Sequence, residues 1–348
     1  MSTTENKINH HNSPSGDGGI KAGIIGGAGY TGGELIRLLI NHPAVTIAFI
    51  NSSSNANKYI YEVHKDLIGE TDLKFVDTLS NDIDVLFLCI GHGDAKKFLE
   101  ANSIADTIKI IDLSQDFRLS PQSTVHSRHF IYGLPELNKQ QIQSANNIAN
   151  PGCFATAIQL GLLPLAKAGV LGDVYTTGIT GSTGAGQSLS NTSHFSWRAN
   201  NISAYKTLQH QHIAEIHQSL YQLQNDFANS PLGVGGVHFV PWRGDFTRGI
   251  YISSIVDCAF PLEEIKQLYT DFYKNAAFTF VSDSMIDLKQ VVNTNKCLIH
   301  IEKQGNKIVI HSAIDNLLKG ASGQALQNMN LMFNLREDSG LNLKANYF

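Results

Sequence analysis

At 348 residues the chain exceeds what one hydrophobic core commonly organises, so two domains are expected. Apolar residues make up 42% and charged residues 16%, with a net charge of −4, which excludes a polybasic nucleic-acid binder and an acidic disordered chain. No apolar run approaches the roughly 18 residues that span a bilayer, and no charged start precedes an apolar stretch, so a cytoplasmic protein with a small-molecule partner is expected.

Residues 1–20 are polar, without period, and predict a disordered tail in which His10 and His11 are solvated. From Lys21 a repeating pattern begins: a strand KAGIIG, a helix TGGELIRLLI, a second strand VTIAFIN, then strands DVLFLCI and IKIIDL. Strands alternating with helical stretches imply parallel βαβ units and an α/β first domain. After about residue 150 the pattern changes. A helix ATAIQLGLLPLAKAG leads into strands near DVYTTGIT, GGVHFVPW, RGIYISSIVD, CLIHIE and KIVIHSAI, which predict a mostly antiparallel sheet. A last apolar helix pattern over 319–334 is compatible with packing on either domain.

The segment Gly26 Gly27 Ala28 Gly29 Tyr30 Thr31 Gly32 follows a strand and opens a helix, the setting in which glycines let a pyrophosphate approach a helix N-terminus. A purely structural turn is the alternative. At the end of the second strand stand Asn51, Ser52, Ser53, Ser54 and Asn55, with Lys58 beyond. Hydroxyls and a cation, where an NAD site carries a carboxylate, favour a 2′-phosphate and therefore NADP.

Cys89, Cys258 and Cys297 lie in apolar strand-like runs and read as small hydrophobes; none of the four cysteines forms a CxxC pair, so neither a disulfide framework nor a zinc site is expected. Cys153 differs, because Asn150 Pro151 Gly152 Cys153 places it where a turn gives way to an apolar helix. There the N–H groups and helix dipole favour a thiolate, which makes it a candidate nucleophile beside the plainer reading of a buried helix-start cysteine. A nucleophile of this kind wants a proton carrier. The densest offering is Tyr205 to Glu215, where His210 and His212 are two apart and on a helix would diverge by about 200°, leaving one facing the thiolate. A metal site from these residues is not favoured, since no further ligand stands at metal spacing. His92, on a loop after a strand, is placed at the nicotinamide pocket.

Acyl phosphate and carboxylate groups need donors, and Arg118, Arg198, Arg243 and Arg248 are the candidates, each with an ordinary surface arginine as its alternative. The run Gly181 Ser182 Thr183 Gly184 Ala185 Gly186 would either wrap a ligand with backbone N–H groups or form a tight turn.

Together the stretches GGAGYTGGELIRLL, IDLSQDFRL, YGLPEL, ANPGCFATA, GSTGAG, HQHIAEI, HFVPWRGDFTRG and KGASGQALQNMNLMF closely resemble the N-acetyl-γ-glutamyl-phosphate reductase family, in its order and over residues 21–334. A more distant resemblance is to aspartate-semialdehyde dehydrogenase. The resemblance implies a Rossmann-type NADP domain over 21–152 completed by a C-terminal helix in 318–348, and an inserted α+β domain over 153–317 that builds a homodimer or homotetramer. It implies Cys153 as the nucleophile, although Phe154 and Ala155 stand where Tyr-Pro is usual, and a general acid/base from His210 and His212, with Gln211 replacing an arginine. Asn150 and the arginines are implied as substrate ligands, and Ser182, Gly184 and Ala185 as cofactor ligands. Arg248 with Gly249 matches the family's RG, with RGDF inserted before it. The implied reaction is that of arginine biosynthesis: Cys153 attacks N-acetyl-γ-glutamyl phosphate, inorganic phosphate leaves, and NADPH reduces the thioester to the semialdehyde. An N-succinyl or carrier-linked substrate and a β-aspartyl one are the alternatives. A non-catalytic NADP sensor would keep the glycine loop but has no use for Cys153 and the histidines.

Overall fold

A computed structural model describes residues 19–119, 124–227 and 236–348. The tail expected over 1–20 lies outside the described residues except for Gly19 and Ile20, and Ile20 opens the first strand.

The first half builds a seven-stranded sheet from β1 (Ile20–Ile25), β2 (Val45–Asn51), β3 (Phe75–Val76), β4 (Val85–Leu88) and β5 (Lys109–Asp112), a small hairpin β6 (Thr124–Val125) and β7 (Arg128–His129) set apart from it, then β8 (Ile131–Tyr132) and β9 (Asn147–Ala149). Its order is β3-β2-β1-β4-β5-β9-β8, every pair parallel. Helices α1 (Tyr30–Leu39), α2 (Ile60–Val63), α3 (Asp94–Ala101) and α4 (Pro135–Ser144) occur among these strands. Parallel strands are covered on both faces, which is why β4 is buried along its whole length and reads as an unbroken apolar run. The order reverses at β1, with β2 on one side and β4 on the other, and ligands of such sheets bind beyond the carboxyl ends of the strands at that point.

The second half contains α5 (Cys153–Lys167), β10 (Val174–Thr180), α6 (Phe195–Arg198), β11 (Ser203–Ala204), α7 (His212–Leu223), β12 (Val237–Arg243), β13 (Ile250–Asp257), α8 (Leu262–Tyr273), β14 (Thr279–Ser282), β15 (Cys297–Gln304) and β16 (Lys307–Ile314). Its sheet runs β11-β12-β10-β13-β16-β15-β14 and is mixed: β10–β12 and β14–β15 are parallel, the other pairs antiparallel. Along β13 buried and less buried residues alternate, the mark of a sheet packed on one face only. α5 supplies much of that packing. It is buried from Phe154 through Ala166, as a helix must be when apolar all round.

After β16 a π turn (Leu318–Ser322) leads into α9 (Gly323–Met332), which packs on α1 and α4. Leu318, Ala325, Leu326 and Met329 share a core with Ala22, Ile24 and Leu35, so the chain returns to the first sheet at its end. Segments invisible to periodicity, such as β3 and β8, are two residues long and are strands only because neighbours pair with them.

Candidate active site

The glycine segment stands at the carboxyl end of β1. Gly26 adopts φ +79°, and a Cβ there would lie 2.4 Å from the Cys89 carbonyl; a Cβ on Gly32 would lie 2.5 Å from the Gly26 carbonyl. Gly26 and Gly27 both donate to the Asn51 carbonyl, which ties the turn to the end of β2. Gly29, Tyr30 and Thr31 at the start of α1 then line a cleft of about 530 Å³, where the positive end of the helix favours an anion. Beyond β2, Asn55 Nδ2 donates to the Ser52 and Ser54 hydroxyls and Lys58 Nζ to Asn55 Oδ1, a cluster of hydroxyls and a cation that fits a 2′-phosphate. His92, after β4, lines the same cleft and its Nδ1 accepts from the Gln115 N–H at 3.2 Å.

Opposite the glycine turn, the loop after β9 delivers Cys153 as the first residue of α5, part-exposed to the cleft. The expected lowering of its pKa is overturned. Burial pushes the thiol up to about 11, against the downward pull of the Phe154 N–H and the Arg118 guanidinium, because a helix-end dipole offsets less than desolvation costs. The resting sulfur is therefore a thiol that needs a base. Glu215, on α7, fixes the loop that carries it: the carboxylate accepts from the Gly152 N–H at 2.9 Å, from the Tyr132 hydroxyl at 2.9 Å and from Arg118 Nη1 at 3.0 Å. In the sequence Glu215 stands out only as the end of the histidine segment. The signal for it was present, since residues three apart on a helix share a face and it follows His212 by three.

His210 and His212 do not diverge on a helix. α7 begins at His212, and His210 precedes it on a turn in which Lys206 and Leu208 take φ +46° and +59°, so both rings line the cleft with centroids 4.5 Å apart. His210 Nδ1 accepts from the His212 N–H at 3.2 Å, which puts the neutral ring's proton on Nε2. Burial, then Lys206, pushes His210 down to about 4; burial, then Arg118, holds His212 well below the usual histidine range. His212 Nδ1 is buried without a partner, and its ring presses on Gly152, where a Cβ would stand 2.3 Å from Nε2. Among the described residues no group of three or more His, Cys, Asp or Glu is arranged around a metal position.

The expected anion ligands divide sharply. Arg118 lines the cleft but is committed to Glu215, the Asn150 carbonyl and the Leu113 carbonyl. Arg248 is corrected: it pairs with Glu34 of α1 at 2.8 Å and with Asp315, just after β16, at 3.0 Å, and it does not line the cleft. Arg198 is buried outside the cleft and donates to the Asn201 carbonyl and Ser203. Asn150 is a brace, with Nδ2 on the Ala321 carbonyl and Oδ1 accepting from Asn328. Arg243 alone of the four faces the cleft without an acidic partner among the described residues. In the 181–186 run, Thr183, Gly184, Ala185 and Gly186 line the cleft while Ser182 does not. The N–H groups of Ser182, Thr183, Gly184 and Gly186 bond to Phe246, Thr247, Gly181 and Thr183 carbonyls, so the turn reading holds for them and a cradle of free donors does not form.

Residues 21–145 match the semialdehyde dehydrogenase NAD binding domain, and residues 153–316 the semialdehyde dehydrogenase dimerisation domain. The chain is 60% identical over 331 residues to a protein of Bacteroides thetaiotaomicron and 56% identical over 330 residues to one of Christiangramia forsetii, in both cases covering 94% of this chain and 100% of the relative. Both are named N-acetyl-gamma-glutamyl-phosphate reductase. Among solved structures, aspartate semialdehyde dehydrogenase II from Vibrio cholerae superposes with a TM-score of 0.68 at 16% identity over 91% of this chain and 99% of that one. Aspartate semialdehyde dehydrogenase with NADP from Candida albicans gives 0.64 at 14% identity over 90% and 98%. These two share the fold. With the glycine turn, Cys153 and the paired histidines gathered at one cleft, the chain belongs to the N-acetyl-γ-glutamyl-phosphate reductase family.

Proposed function

We propose that this protein converts N-acetyl-γ-glutamyl phosphate to N-acetyl-glutamate 5-semialdehyde with NADPH, a step of arginine biosynthesis, through a thioester on Cys153. The observation that carries the reading is the position of Cys153 at a helix start, across one cleft from the glycine turn and against two buried, neutral histidines.

The thiol, held protonated by its burial, gives up its proton to an imidazole as the sulfur attacks the acyl carbon. His212 is assigned to receive it, since its ring presses on Gly152, the residue before the nucleophile, and lines the same cleft. His210, with its proton on Nε2, donates to oxygen as charge develops there, first on the acyl group and later on the thiohemiacetal. Glu215 and Arg118 hold the loop so that the sulfur stays aimed at the cleft. Gly26 to Gly32 with Ser52, Ser53, Ser54 and Lys58 would hold NADPH, which when bound would supply the hydride that reduces the thioester. His92, Gly184 and Ala185 would shape the wall near its reactive end.

The chain is taken to divide into an NADP domain over 21–152 with 318–348 and a substrate domain over 153–317. A cytoplasmic location is part of this reading; no helix among the described residues is long and apolar enough to cross a membrane. A homodimer or homotetramer formed through the second sheet accounts for its less covered face, where Tyr175 and Ile255 are exposed. The test is an assay with purified protein, NADP⁺, inorganic phosphate and N-acetyl-glutamate semialdehyde. Phosphate-dependent reduction of NADP⁺, abolished in C153A, is expected; undiminished rates in C153A would end the thioester reading.

A further inference from the structure

Two stretches, YGLPEL and KGASGQALQNMNLMF, carry no step of the chemistry above, yet the fold joins them. Lys319 Nζ, fully buried, donates to Glu136 Oε1 at 2.7 Å and to Gln327 Oε1 at 3.0 Å, and Asn328 Nδ2 donates to the Gly133 carbonyl at 2.9 Å. A buried carboxylate that loses its ammonium is strongly destabilising, so this pair fixes the turn that carries Lys319 against the start of α4. That turn is the π turn Leu318–Ser322, closed by the Gly320 N–H on the Asp315 carbonyl at 2.9 Å and by the Ser322 N–H on the Leu317 carbonyl at 2.8 Å. Closures of this spacing are rare and gather at functional sites.

Three consecutive residues of the turn meet three different parts of the site. A Cβ on Gly320 would stand 2.7 Å from the Cys153 Cβ, about 0.7 Å short of the 3.4 Å at which ordinary contact begins. The Ala321 carbonyl accepts from Asn150 Nδ2 at 3.1 Å, in the loop that leads to Cys153. Ser322 Oγ, fully buried, donates to the Thr31 carbonyl at 2.8 Å, in the first turn of α1. Asp315 Oδ1 accepts from the Leu317 and Leu318 N–H groups and so fixes where the turn begins. One braced turn therefore lies between the residue that carries the sulfur and the helix start assigned to the cofactor.

We infer that this turn is the spacer that sets the cofactor helix against Cys153, with Gly320 and Ser322 as positioning residues for hydride transfer. This rests on the reaction proposed above. Hydride moves between atoms held about 3–3.5 Å apart, and a misplacement of about 1 Å can cost roughly 10²-fold in rate. Gly320 sets the sulfur side of that distance, because only a residue without a side chain lets Cys153 sit against the turn. Ser322 sets the cofactor side through its one bond to α1. Gly320 has no side chain and the Ser322 hydroxyl is committed, so each acts through what it holds.

The test compares full-length G320A and S322A with wild type in three measurements. These are NADP⁺ reduction with phosphate and N-acetyl-glutamate semialdehyde, unlabelled or deuterated at the aldehyde carbon; NADPH affinity by fluorescence; and iodoacetamide alkylation of Cys153 without cofactor. G320A is expected to lower kcat by about 10²-fold and to change the alkylation rate by about threefold or more, with NADPH affinity within about twofold of wild type. S322A is expected to lower kcat by about tenfold, with a deuterium effect no smaller than that of wild type and alkylation unchanged. A wild-type kcat in either folded variant, an unchanged alkylation rate in G320A, a vanished deuterium effect in S322A, or a loss of kcat matched by lost NADPH affinity overturns the spacer. Should G320A fail to fold, S322A decides by its own readings. Wild-type protein that reduces no NADP⁺ in this assay would instead remove the proposed reaction, and the spacer's role with it.

Discussion

The Gly152 N–H donates to Glu215 Oε2 at 2.9 Å, so a carboxylate on α7 sets the position of the residue immediately before the nucleophile. The same carboxylate neutralises Arg118, whose Nε in turn holds the Asn150 carbonyl. E215A should therefore lose roughly 3–5 kcal/mol of stability, since removal of one partner leaves the buried Arg118 charge uncompensated. E215Q keeps the shape and should retain more of the fold while kcat falls. Thermal melts and kcat on both variants check this, and a wild-type kcat in a folded E215Q would show that the brace has no part in placing Cys153.

Cys153 should react slowly with iodoacetamide in the free protein. With the thiol pushed up to about 11, the rate should still be climbing at pH 9, where an ordinary thiol near 8.5 is already mostly ionised. Mass spectrometry of Cys153 alkylation against pH decides; a plateau below pH 8 would refute the thiol ground state. C153S should lower kcat by roughly 10³-fold or more, with the cofactor still bound.

Stability should fall on acidification in a window defined by His210. Its folded value is about 4 and the unfolded value near 6.5, so between these the unfolded chain binds a proton the folded chain refuses. The contribution is fully present above pH 6.5 and is lost as pH drops toward 4. His212, also held low, adds to the slope. Melting temperatures measured from pH 7 to pH 4.5 should decline less steeply in H210Q than in wild type.

S53D places a carboxylate at the exposed end of β2, beside the hydroxyls assigned to the 2′-phosphate. KM for NADPH should rise about tenfold, which is ~1.4 kcal/mol, while KM for NADH stays level or falls. Equal effects on the two cofactors would show that the serines do not read the 2′ position.

Arg248 bridges Glu34 of α1 and Asp315 after β16, so R248M should destabilise the fold, by less than the roughly 3 kcal/mol of a fully orphaned buried charge because Glu34 keeps Arg37 and Asp315 keeps the N–H groups of Asn293, Leu317 and Leu318. Substrate KM should barely move. A large KM effect with an unchanged melt would return Arg248 to the substrate list from which its ion pairs removed it.

The sequence alone determined the parts whose signal is local. The long strands and α1 were legible because burial on one or both faces leaves a period of 2, 3.6 or an unbroken apolar run. Gly26 to Gly32 and Cys153 were legible because a strand-to-helix turn states its own chemistry, and Asn51 to Ser54 because the missing carboxylate is itself a statement about the ligand. What only the tertiary structure decided is which polar groups were still free. Arg118, Arg198, Arg243 and Arg248 are indistinguishable as letters, yet Arg118 and Arg248 are tied to acids, Arg198 lies outside the cleft, and Arg243 alone of the four faces it without an acidic partner among the described residues. The thiol's pKa followed the same logic: the helix start was visible, but the burial that outweighs it comes from residues far along the chain. Glu215, 63 positions from Gly152, belongs with them. Hydrogen bonds and desolvation depend on what the fold brings alongside, and one-dimensional spacing carries no record of that.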